Sequence, residues 1–165
     1  MTRSGVEQLL YLMDQAFDGS GEHSLLANLR SVTADDWSWA PTDGGRTILE
    51  LTRHVGKCKF VYDNHAFGDR SMRWDLPETV PNFAPDAAKA DVIDWLRKGQ
   101  QGLRDHVAAL DDDELLVPRR ANWGQDHETR WLISVMIEHD LYHAGEINHL
   151  RAVRQGDDRW AWPPT

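Results

Sequence analysis

The sequence predicts an all-α fold, a bundle of four helices formed as one domain over residues 1–165. Three observations carry this prediction. Apolar residues recur at spacings of three and four through four long segments, and no segment shows the convincing period-two alternation of a half-buried strand. The breaks between segments hold the Gly, Pro and Asp clusters that stop helices. At 165 residues the chain suits one domain with a sizeable core.

Val6, Leu9, Leu10, Met13, Ala16 and Phe17 keep helical spacing, Asp18-Gly19-Ser20-Gly21 interrupts it, and Leu25, Leu26, Leu29 and Val32 resume it. This reads as one long first helix with a kink or break at the glycines, which weaken a helix interior. A connector from Thr33 to Gly45 carries Trp37 and Trp39. Thr47-Ile48-Leu49-Glu50 has the spacing of a capping box, so the second helix should start at about Ile48 and run to about Phe67, before Gly68. Residues 69–85, with Pro77, Pro81, Pro85, Trp74 and Phe83, form a loop long enough to have a job such as walling a site. The third helix is expected from about Asp86 to Leu110, and the acidic run Asp111-Asp112-Asp113-Glu114 after it reads as a solvated helix end. Residues 115–126 then lead to a fourth helix from about Thr129 to Gln155, capped by Asp126 or Thr129.

Composition excludes several roles. Eighteen basic residues against 27 acidic ones leave a formal charge of -9 and no compensating basic cluster, the wrong sign for nucleic acid or an anionic membrane surface. No apolar run approaches the roughly 20 residues that span a bilayer, and the N-terminus lacks the apolar core of a signal peptide. Cys58, the single cysteine, allows no intrachain disulfide and fits a reducing, cytoplasmic setting. Eight tryptophans can supply large buried surfaces or line a pocket.

The chemistry concentrates in Glu138-His139-Asp140-Leu141-Tyr142-His143-Ala144-Gly145-Glu146. Two histidines four apart lie about one turn apart on one helix face, a separation from which two imidazoles can grip one divalent ion. At about 100° per residue, Leu132, Val135, Met136, His139, His143, Glu146, Leu150 and Val153 share one arc. Both imidazoles therefore sit in an apolar stripe, where a polar group needs a partner. The competing reading is a pair of core histidines, each satisfied by one hydrogen bond. Catalytic metal sites commonly use three protein ligands. His54, mid-helix beside the stripe of Leu51, Val55, Cys58 and Tyr62, is the best-placed third candidate. His65 shares its face but stands about 16 Å further along the helix, and Cys58 is either a soft ligand or a small buried hydrophobe. His149 points off the arc. Glu146, one turn beyond His143, suits a fourth ligand, an acceptor behind a ligand, a general base, or an ion pair with an arginine of another helix. A metalloprotease reading of His139-Asp140-Leu141-Tyr142-His143 fails, because Asp is one methylene shorter than the required Glu and no strand is available to hold a peptide. A second apolar stripe on the same helix, Ile133, Ile137, Leu141 and Ala144, needs cover from the tail around Trp160 and Trp162 or from a second subunit, and a homodimer is expected.

Ile48-Leu49-Glu50-Leu51-Thr52-Arg53-His54-Val55 resembles the helix-two histidine segment of the DinB/YfiT-like metalloenzyme family. Glu138-His139-Asp140-Leu141-Tyr142-His143-Ala144-Gly145-Glu146-Ile147-Asn148-His149-Leu150-Arg151 resembles its helix-four signature, and Pro41 to Thr47 is similar to its connector. The likeness runs from about Gln8 to Arg154. It implies an antiparallel four-helix bundle, commonly dimeric, with a divalent ion (Zn, Ni or Fe) held by His54, His139 and His143 near one end. It implies no link to the DNA polymerase that shares the name, in keeping with the acidic charge. By this resemblance the chain is expected to be a metal-dependent enzyme acting on a small molecule, as a hydrolase or as a transferase using a low-molecular-weight thiol; Glu146, from its place one turn beyond His143, is the residue expected to handle protons. The rival class is a non-catalytic metal-binding or stress-response bundle whose ion is structural, since a site closed by four protein ligands cannot activate water.

Overall fold

The computed structural model describes residues 3–19, 23–42, 44–84 and 86–157, and helix dominates them. Four long helices make the frame: α1 (Ser4–Asp14), α4 (Ile48–Phe67), α5 (Lys89–Ala108) and α6 (Thr129–Gln155). Two short ones, α2 (Leu25–Arg30) and α3 (Ala34–Trp37), lie between α1 and α4. The expected break in the first helix is a π-helical turn over Gln15–Gly19, and Ser20 and Gly21 lie outside the described residues. Within the stretch read as a connector, Thr33 and Asp36 close a reciprocal capping box that starts α3. The box of Thr47 and Glu50 starts α4 as its spacing demands.

Helix directions follow from who meets whom. Along α4 and α5 the partners rise together: Gly56 abuts Trp95, Gly99 abuts Phe60, and Asp63 binds His106. These two helices therefore run parallel, which departs from the strict alternation of an antiparallel bundle. The 21 residues between them explain it, because a helix of 20 residues is about 30 Å long and only a long crossover returns the chain to the same end. Across α4 and α6 the partners run oppositely, Lys59 meeting Asp140 while Tyr62 meets His139. Across α1 and α5 they do so again, with Arg3 donating to the Leu110 carbonyl and Arg104 pairing with Asp14.

Three further expectations change. The stretch read as a connector before the last helix holds a hairpin of β1 (Pro118–Arg120) and β2 (Asp126–Glu128), too short for a period-two signal. Asp126 lies in β2, and Thr129 does not cap α6: its hydroxyl donates to the Val117 carbonyl at 2.7 Å. The acidic run is more than a solvated end, since Asp112 accepts the Gly5 and Val6 amides and so satisfies the open N-terminus of α1.

The core forms two apolar clusters. One gathers Leu25, Leu29, Leu51, Val55, Leu96 and Ile147, and the other Val6, Met13, Leu103, Val107, Ile133 and Met136. Ile133, Ile137 and Ala144 of the second α6 stripe are buried within the chain, and Leu141 alone of that stripe is exposed. Helices α1 and α2 supply the cover, so the stripe no longer calls for a second subunit. Trp160 and Trp162, the other cover considered for that stripe, lie outside the described residues. No helix among the described residues is long and apolar enough to cross a membrane.

The approach of α4 to α5 is limited by Gly56, where an added Cβ would stand 2.1 Å from the Trp95 ring. An aromatic ring packed between helices cannot yield that far without moving a backbone. Gly56→Ala is expected to destabilise by at least about 1–3 kcal/mol, read as a lower urea midpoint at unchanged slope, with Trp95→Leu in the same chain recovering part of the loss.

Candidate metal centre

Helix α4 carries His54 six residues after its start, and α6 carries His139 and His143 on the turn that crosses it. The three imidazoles converge. His139 Nε2 lies 3.3 Å from His54 Nε2 and 3.2 Å from His143 Nε2, and the His54 and His143 ring centroids are 4.9 Å apart. Ligand nitrogens about 2.0–2.1 Å from one ion at a near-tetrahedral angle stand about 3.3–3.4 Å apart, so both separations suit a shared ion. The Cys58 thiol adds a fourth donor, its Sγ 3.7 Å from His54 Nε2, and ligand atoms of His54, Cys58 and His139 lie within 4.8 Å of one another.

Electrostatics prepare the nitrogens for ligation. Burial, then the neighbouring His143 and Arg46, pull His54 below its ordinary pKa. Burial, with His143 and His54, takes His139 down to about 3. His143 is lowered by burial against an opposing pull from Glu146. All three are neutral near pH 7, the protonation state a metal ligand needs. Cys58 goes the other way, its thiol pushed up to about 12 by burial, and the Tyr62 hydroxyl beside it is raised by burial and by that thiol.

Glu146 stands behind the cluster. His143 Nδ1 and the Glu146 carboxylate are 2.8 Å apart, and Arg46 donates to the same carboxylate at 3.0 Å. That contact places the Nδ1 proton and leaves Nε2 as the lone-pair nitrogen facing the other imidazoles. Two of the roles open for Glu146 are thus met by contacts, the acceptor behind a ligand and the ion pair with an arginine outside its helix. The remaining five histidines are elsewhere: His65 Nε2 lies 2.7 Å from the Met72 carbonyl, His106 pairs with Asp63, His127 stacks on Trp131, and His23 and His149 are exposed.

Beneath the histidines lies a polar group that the sequence reading passed over. Lys59 Nζ donates to Asp140 Oδ2 and to Gln100 Oε1, both at 2.7 Å, and the Lys59 and Asp140 side chains are each only 4% exposed. Burial raises the Asp140 pKa and Lys59 holds it down. The signal was available: Asp140 continues the apolar series Ile133, Met136, Ala144 and Ile147, and Lys59 falls in that of Leu51, Val55 and Tyr62. A charge at a core position of two helices calls for a partner.

Space for a ligand opens on one side. A hollow of about 300 Å³ is lined by Glu50, Arg53, His54, Lys57 and Trp74, within the size range of small-molecule sites. The cavity beside Tyr62, Trp123 and Met136 holds about 10 Å³, room for about one water.

An all-α frame with imidazoles from two helices meeting at one point defines a candidate metal-binding helical protein. The sequence profile of the DinB superfamily matches residues 20–147, and the chain belongs to that superfamily. Among curated proteins none matches it.

Two measurements test this local physics. Lys59→Met alone is expected to destabilise by about 3–5 kcal/mol, because it leaves Asp140 buried and unpaired, whereas Lys59→Met with Asp140→Leu should lose clearly less; urea denaturation of both variants decides. The second concerns pH. Each imidazole has a lower pKa in the fold than its ordinary 6.5, so below 6.5 the unfolded chain takes up protons that the fold refuses. The metal-free protein should keep this contribution above about pH 6.5 and lose it as pH falls towards the value of about 3 at His139. The slope of stability against pH in that window is expected to be shallower in His139→Leu.

Proposed function

We propose that this chain is a metal-dependent enzyme of the DinB superfamily in which His54, His139 and His143 hold one divalent ion, Zn, Ni or Fe. The observation that carries the reading is the convergence of three neutral imidazole nitrogens from two helices, with His139 Nε2 at 3.2 and 3.3 Å from the other two. When bound, such an ion supplies Lewis acidity, lowering the pKa of an oxygen or sulfur donor towards neutrality. The chain's own residues do the rest. Glu146 holds the His143 tautomer and, being partly exposed, is the carboxylate positioned to take a proton at the edge of the site. The hollow beside His54 admits a small-molecule substrate, and Trp74 from the 69–85 loop forms part of its wall.

The reaction we assign is thiol-dependent transfer or hydrolysis. A low-molecular-weight thiol as cosubstrate fits a chain whose one cysteine is buried and held as a thiol. That lone cysteine also suits a reducing cytoplasm. The frame is a four-helix bundle of mixed direction in one domain, with α4 and α5 parallel and joined by the crossover that carries Trp74.

One observation favours a second reading. Cys58 reaches the cluster, and a site of three histidines and one thiolate is closed, as structural zinc sites are. The bundle would then be a non-catalytic metal-binding or stress-response protein. The hollow of about 300 Å³ that opens beside His54 weighs against it in favour of an open three-histidine site.

Elemental analysis of protein purified without an affinity tag is expected to give one divalent ion per chain. His139→Ala should lose it and Cys58→Ser should keep it. Equal loss in both variants would establish the closed site. If metal-loaded wild type and His139→Ala conjugate thiols at equal rates, the enzyme reading falls.

A further inference from the structure

We infer that the hollow beside His54 is an anion subsite, in which Arg53 and Lys57 hold the carboxylate, phosphate or sulfonate of a small substrate while Trp74 packs against its body. The inference rests on the metal reading for the direction the substrate faces, its acidic end at Lys57 and its reactive end towards the imidazoles.

Charge distribution is the first support. The chain carries a net charge of -9, yet residues 46–75, which supply every lining residue of the hollow, hold six basic and four acidic side chains. Three of those six, Arg46, Lys59 and Arg73, are paired with carboxylates, and in the lining itself Arg53 and Lys57 outnumber the one carboxylate, Glu50. In a cleft with low-dielectric walls such a local excess attracts anions against the sign of the whole molecule.

The second support is the state of those cations. Neither Arg53 nor Lys57 pairs with a carboxylate among the described residues, while Arg46, Arg73, Arg97, Arg104 and Arg130 each do. Arg53 is held in place by its Nη2, which donates to Asn82 Oδ1 at 3.0 Å and to the Phe83 carbonyl at 2.6 Å. Both acceptors are neutral, so the guanidinium charge stays uncompensated, and its Nε is buried without a partner. Lys57 stands one helical turn along from Arg53, half-buried and on the same side of α4. Two like charges held together without a counterion are stabilised by an anion that bridges them. The one acidic lining residue, Glu50, is committed to the α4 cap, where its carboxylate accepts the Thr47 amide at 2.8 Å.

Trp74 is the third support. Its indole is 43% exposed although it comes from a loop anchored elsewhere, and it lines both this hollow and a neighbouring one of about 370 Å³ with His65, Arg70 and Asn122. An exposed indole between two hollows offers a flat apolar face to the planar or alkyl part of a bound molecule.

The test uses the metal-free full chain, so that it is independent of ion binding. Backbone and indole N–H signals are followed by NMR while benzoate, phenylphosphate or the neutral benzyl alcohol is added. Both anions are expected to shift the amides of residues 53–57 and the Trp74 indole, with the tighter of the two identifying carboxylate or phosphate as the preferred group. Benzyl alcohol should bind at least about tenfold more weakly. Lys57→Gln should weaken both anions about tenfold, Lys57→Arg should restore them, and the metal content of Lys57→Gln should equal that of wild type. Equal affinity for benzoate and benzyl alcohol, no shift with either anion, or unchanged anion affinity in Lys57→Gln overturns the inference. A wild-type protein that takes up no ion overturns the metal reading instead and leaves the anion titration standing.

Discussion

The contact on which the rest of this structure depends is the ion pair between Lys59 and Asp140. It joins α4 to α6 at one residue of each, with a nitrogen to oxygen distance of 2.7 Å in a space almost closed to water. Apolar ridges can slide by a turn at modest cost, because one leucine fills a groove much as another does. A buried ammonium cannot, since moving it by one turn leaves two unpaired charges in the core. With Lys59 seated on Asp140, His54 and Tyr62 of α4 come to the level of His143 and His139 of α6. The imidazole cluster is thus set by a neighbour on each helix that is not itself a ligand. Gln100 ties α5 to the same point.

This polar group also divides the core. On each of the three helices it stands between residues of one apolar cluster and residues of the other, as Gln100 does between Leu96 and Leu103 and Asp140 between Ile137 and Ala144. The histidines lie beside that division, where side chains are packed on one side and a hollow opens on the other. Burial on the packed side lowers their pKa values, and the open side leaves room for a ligand. One location thus combines neutral donors with an opening beside them.

The crossover between α4 and α5 has two consequences. By returning the chain to the end it left, it lets the two helices run parallel and pack as closely as Gly56 against Trp95 allows. It also carries Trp74 across the exposed side of α4, beside Arg53, His54 and Lys57. Asn82 and Phe83 of the same segment bind Arg53, so the loop is anchored by one of the residues whose charge it helps to enclose. Topology and ligand access are in this way properties of one segment.

Much of this was legible in the residues alone. The capping box at Thr47 and Glu50, the extent of the last helix, and the placing of His139 and His143 in one stripe follow from spacing, because a helix repeats every 3.6 residues whatever surrounds it. His54 could be singled out on the same ground as the best third candidate. What the sequence could not determine was direction and depth. The parallel run of α4 and α5 depends on where a long loop lands, and the hairpin at Pro118–Arg120 is too short to leave a pattern. Glu146 allowed four roles until Arg46, a hundred residues away, was seen to hold it. Lys59 and Asp140 carried a signal, a charge at a core position, but only tertiary packing could say that each was the other's partner. Local periodicity is written into neighbouring residues, whereas the pairing of charges and the opening of a hollow arise from segments that meet only when the chain has folded.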